Sequence, residues 1–147
     1  MTDGGRFCFT VLVSMIPVVE LRGGSLVALH ALYLNDSTMV IRDAGELSCF
    51  MGGYSLGDNA RIENYGRIYL DALDDQERCL DAAVVNYGFL KLNGTAVGGQ
   101  IENHGQIDVH GSVSVHGSIR NFGTIIDHSG VLHESEGSIT GNPPEMP

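Results

Sequence analysis

His110 and His128 lie 18 residues apart, and imidazole is the commonest side-chain metal ligand. In the repeat register described below they share one column, which sets their rings about 5 Å apart. The same column carries Asp71 and Asn93, the composition of a generic polar corner. A zinc site needs three or four converging ligands, and each column supplies two, so no metal and no cofactor is expected. Glycosidic chemistry needs two carboxylates facing one another across a substrate. Asp108 and Asp127 fall on opposite parities of their strands, and only the stretch 71–81 could build the wall of a cleft. Neither a phosphate loop nor a zinc-binding helix motif occurs in the chain. The expectation is a protein that is not an enzyme.

Two further sets of reactive side chains read as structural. Asp71 to Asp81 holds five acids in eleven residues, but without EF-hand spacing, and is expected to be a solvated loop or short helix. Cys8, Cys49 and Cys79 give neither an even-numbered disulfide framework nor a C-x-x-C pair. Cys49 falls on an inward parity, as a core thiol does. An aromatic series is more suggestive. Tyr65, Tyr87, His104 and Phe122 occupy one outward column, following Ala44. Rings at that spacing can brace neighbouring strands, bury against another protein, or stack on sugar rings.

What must position these groups is a repeat. One phrase is written four times: Ile62-Glu63-Asn64-Tyr65-Gly66, Val84-Val85-Asn86-Tyr87-Gly88, Ile101-Glu102-Asn103-His104-Gly105 and Ile119-Arg120-Asn121-Phe122-Gly123. Ile41-Arg42-Asp43-Ala44-Gly45 is a fainter copy, and Gly24 marks one earlier still. Spacings near 20 residues are the signature of a solenoid. Within a copy, Ile101, Asn103, Gly105, Ile107 and Val109 share one side and Glu102, His104, Gln106, Asp108 and His110 the other. Period two means strand; recurrent glycine and β-branched residues disfavour helix. The predicted fold is all-β: a single-domain parallel β-helix, or β-solenoid, of about six rungs stacked about 4.8 Å apart. Asp43, Asn64, Asn86, Asn103 and Asn121 fall once per rung and are expected to form a ladder of side-chain hydrogen bonds. The glycine two positions later is expected to permit the bend through its backbone freedom.

The Ile-x-Asn-x-Gly-x-Ile phrase resembles the β-helical repeats of filamentous-haemagglutinin-like adhesins and autotransporter passenger domains, over about residues 40–141. That resemblance implies the fold, and it favours an extracellular or cell-surface location. Gly137-Ser138-Ile139-Thr140-Gly141 is a scrap similar to bactofilins, short β-helices that stack end to end into cytoskeletal polymers.

Composition narrows the partners. A net charge of −10 with eight Lys and Arg repels a nucleic-acid backbone or an anionic membrane surface. Residues 1–18 contain an apolar strand, with Phe7, Phe9, Val11, Val13 and Met15 on one face. It is too short to span a bilayer and lacks a small-x-small cleavage site. It is expected to form the first rung or to dock on a neighbouring subunit. Residues 19–141 are the solenoid, degenerate up to about residue 60. Residues 142–147 hold prolines that cannot extend a strand ladder. Bare solenoid ends invite pairing, so the leading expectation is a structural homopolymer, with end-to-end stacking into a filament. The alternatives are a small adhesin or polysaccharide-binding module that takes glycan on the aromatic strip, and the bactofilin-like polymer.

Overall fold

The computed structural model describes residues 18–28, 32–34, 36–50, 59–72 and 78–147. Phe7, Phe9, Val11, Val13 and Met15, named above for subunit docking, lie outside the described residues.

The described chain winds through strands β1 (Val18–Leu21), β2 (Gly24–Ala28), β3 (Thr38–Ile41), β4 (Gly45–Phe50), β5 (Arg61–Asn64), β6 (Arg67–Asp71), β7 (Arg78–Leu80), β8 (Ala83–Asn86), β9 (Phe89–Val97), β10 (Gln100–Asn103), β11 (Gln106–Val115), β12 (Ser118–Asn121), β13 (Thr124–Asp127), β14 (Leu132–Glu134) and β15 (Ser138–Gly141). One sheet runs β1-β3-β5-β8-β10-β12-β15 and the other β13-β11-β9-β6-β4-β2. β7 joins the second sheet beside β9, and β14 joins it beside β11. Each strand pairs in parallel with the strand one lap away. This is the parallel β-solenoid that the repeat predicts.

Parallel, in-register stacking turns each repeat position into a column. Val19, Met39, Ile62, Val84, Ile101, Ile119 and Ile139 form one aliphatic column. Leu26, Leu47, Ile68, Leu90, Ile107 and Ile125 form a second. Both face inward, and their middle members are at most 2% exposed. Each such side chain contributes about 1.5–3 kcal/mol by leaving water. The long strands β9 and β11 turn a second corner in mid-course. Gly94 and Gly111 stand there at φ +62° and +64°, a left-handed conformation that glycine adopts without a Cβ clash.

The glycines of the Asn-x-Gly phrase do something different from what was expected of them. Gly66, Gly88, Gly105 and Gly123 are not among the residues with positive φ. A Cβ at any of them would instead run into the carbonyl oxygen of the corresponding glycine one lap earlier. They are required because the stacked turns approach too closely for a side chain. The stretch 71–81, expected as a loop or short helix, is strand at part of its described residues: Asp71 ends β6. Arg78–Leu80 pairs with β9 as β7, with Leu80 buried.

Candidate functional site

The ladder is the best-defined polar arrangement. Asn64 Nδ2 donates to Asn86 Oδ1, Asn86 Nδ2 to Asn103 Oδ1, and Asn103 Nδ2 to Asn121 Oδ1, each at 2.7 Å. The amides also donate to backbone carbonyls across the turn: Asn64 to Phe89, Asn86 to Gln106 and Asn103 to Thr124. All four side chains are at most 1% exposed, so this network satisfies groups whose burial would otherwise be costly.

Asp43 does not belong to it, contrary to the expectation. Ile41 pairs in register with Asn64, and Asp43 is exposed on a turn. Two extra residues separate Ile41 from Gly45, compared with Asn64 and Gly66, and a Gly45 N–H···O=C Arg42 bond closes that longer turn. Counting back from the glycine therefore lands on the turn tip instead of the strand end. At the far end, Asn121 Nδ2 donates to the Asn142 carbonyl at 2.8 Å, so backbone takes the place of a fifth amide.

The aromatic strip forms as a continuous stack. Ring centroids are 5.0 Å apart for Tyr65–Tyr87 and for Tyr87–His104, and 5.1 Å for His104–Phe122, at interplanar angles of 7–15°. Ala44 does not extend it. Arg42 does, with its guanidinium 5.6 Å from the Tyr65 centroid, a cation–π distance. Arg42 also donates to Glu20 at 2.6 Å, as does Arg22 at 2.8 Å. Hydrogen bonds from Arg42 and then Arg22 hold the Glu20 carboxyl below its usual range. Because rings stacked along the coil axis spend their faces on one another, they turn edges outward. Sugar stacking needs free ring faces, so this geometry favours bracing between laps.

The polar corner is assembled as the column predicts, and more fully. Asn93 Nδ2 donates to Asp71 Oδ1 at 2.9 Å, and Lys91 lies 3.1 Å from the same carboxylate. The His110 and His128 rings stack at 4.5 Å. Burial first, then the nearby His128 and Lys91, lowers the His110 pKa. Counting ligands one column at a time overlooked Asp108, two residues before His110 on the same outward side. Its Oδ2 lies 3.2 Å from His128 Nε2. The Asp-x-His spacing, set against a histidine one lap later, is the signal that could have found it.

Cys49 is buried and its thiol is pushed up to about 12 by that burial, which leaves it protonated and inert. Asp108 and Asp127 do face opposite ways: Asp127 is buried in the inward column of Cys49, Leu70, Leu92 and Val109.

The C-terminal end of the coil is partly closed. Glu145 bridges β13, its N–H donating to the Ile125 carbonyl and its carbonyl accepting from Asp127, both at 2.8 Å. Asn142 Nδ2 reaches the Gly123 carbonyl at 3.0 Å. The Glu134 carboxylate accepts the Ile139 N–H, a donor on the outer edge of β15. Between these caps lies a groove of about 410 Å³, lined in part by Leu132, Ile139, Pro143 and Pro144.

No family model, curated protein or solved structure matches this chain.

Proposed function

We propose that this chain is a non-catalytic structural β-solenoid that self-associates end to end. The observation that carries the reading is the state of the coil's ends. Among the described residues, β1, β2, β14 and β15 each have a strand neighbour on one side only. Over the same described residues, the aliphatic column from Val19 to Ile139 finishes in half-buried side chains at both ends. Because every lap pairs in parallel, the edge at one end of a copy has the polarity that continues the edge at the opposite end of the next. Such a head-to-tail contact propagates without closing. Glu134, Asn142 and Glu145 cover part of the C-terminal edge and act as a brake on addition there. The adhesin-like resemblance, and the extracellular or cell-surface placement it favours, belong to this proposal as its setting.

Sedimentation velocity and negative-stain microscopy of the full chain test it. Growth with concentration and rod-shaped particles are expected. Ile139→Lys, which sets a charge at the free end of the column, should hold the chain at single-chain mass. Removal of 142–147 uncovers the edge of β13 and should promote assembly. Single-chain particles at every concentration, in wild type and truncated chain alike, overturn the reading.

A further inference from the structure

Asp108, His110 and His128 are used by neither the ladder nor the aromatic stack. Asp108 and His110 stand two residues apart on β11 and so project on the same side. His128 follows β13 directly, and its N–H donates to the Val109 carbonyl at 3.0 Å, which seats its ring over that of His110. One ligand atom from each of the three lies within 4.8 Å of the other two. Ligand atoms on a tetrahedral ion with bonds of about 2.1 Å sit about 3.4 Å apart, so small side-chain rotations close the set.

Two neighbours prepare the site. Gln106 Nε2 donates to Asp108 Oδ1 at 2.6 Å, leaving Oδ2 turned toward His128. A metal-binding carboxylate is commonly fixed in this way by an outer hydrogen bond. Lys91 pairs in register with Asp108, but its ammonium lies 3.1 Å from the Asp71 carboxylate, which offsets the nearest positive charge. Two imidazoles and one carboxylate suit zinc, copper or nickel, whereas calcium and magnesium want oxygen donors throughout.

We propose that Asp108, His110 and His128 bind a divalent transition ion of the zinc class, which ties the lap of β11 to the lap of β13. The three side chains supply the protein ligands, and water completes the shell on the open side, where His128 is exposed. The ion is a clip between laps.

Zinc chloride titrated calorimetrically into the untagged full chain is the test. One ion per chain and a raised melting temperature are expected. His128→Ala and Asp108→Asn should each weaken zinc binding about tenfold or more. His104→Ala and Cys79→Ser should leave it unchanged, since those side chains belong to other corners. Cobalt(II) added to the wild-type chain gives a readout that needs no variant: visible bands of a low-coordinate site, erased by zinc. Absence of both binding heat and cobalt bands overturns the site. So does undiminished affinity in His128→Ala and Asp108→Asn, or loss of binding in Cys79→Ser.

Discussion

Asn103 shows how much one buried amide carries. Its Nδ2 donates to Asn121 Oδ1 and the Thr124 carbonyl, and its Oδ1 accepts from Asn86. Asn103→Ala strands polar atoms on both neighbours, and an orphaned buried group costs about 1–3 kcal/mol. A loss of about 2–4 kcal/mol in denaturant unfolding is expected on that basis. Asn64→Ala should cost less, because Ile41 stands below Asn64 and only one ladder partner is lost. Equal losses would mean that packing, not the ladder, was removed. Asp127 makes a different case. Burial alone would raise its pKa. The Ser129 hydroxyl and the N–H groups of Ser129, Gly130 and Leu132 donate to it and hold it below the ordinary 3.8. A depressed folded value stabilises the fold above the unfolded value, and that contribution fades as pH falls through the folded one. Melting curves taken from neutral pH down to about pH 3 should therefore fall less steeply on the acid side in Asp127→Asn. Superimposable acid limbs in the two proteins would remove the residue from the account.

At the scale of elements, the turn after each strand of the first sheet sets what the outer face can do. In the turns after β5, β8, β10 and β12, a single residue separates the asparagine from the glycine, and that residue is the ring of the stack. The turn after β3 is longer, so Arg42 takes the ring's position and Asp43 leaves the ladder. The stack ties four laps together outside the core, just as the amides tie them inside. Tyr87→Ala breaks two ring contacts, each worth about 0.5–1.5 kcal/mol. It should lower stability by about 1–2 kcal/mol and weaken the near-ultraviolet circular dichroism. Retention on carbohydrate resins should be the same before and after the substitution. A wild-type chain retained on such a resin and released by Tyr87→Ala would restore the glycan reading.

For the whole molecule, the period of about 20 residues, the strand parity of the repeated phrase and the ladder of Asn64, Asn86, Asn103 and Asn121 were legible in the chain, whereas β7, inside a stretch expected to be loop or short helix, was not. The reason is physical: parallel in-register stacking maps a linear repeat directly onto a column, so residues at equal phase meet. The pairing of His110 with His128, the inward Cys49 and the opposed Asp108 and Asp127 follow from the same rule. Where laps differ in length, phase no longer predicts position, and only the folded coil decides. It moved Asp43 to a turn tip and put Arg42 under Tyr65. It made the turn glycines a matter of close approach instead of backbone angle, since their neighbours are one lap away and invisible in the local sequence. It brought Asp108 to the two histidines, and it folded Glu134, Asn142 and Glu145 back over the last edges. Each of those outcomes depends on contacts between laps, which packing sets and spacing alone does not.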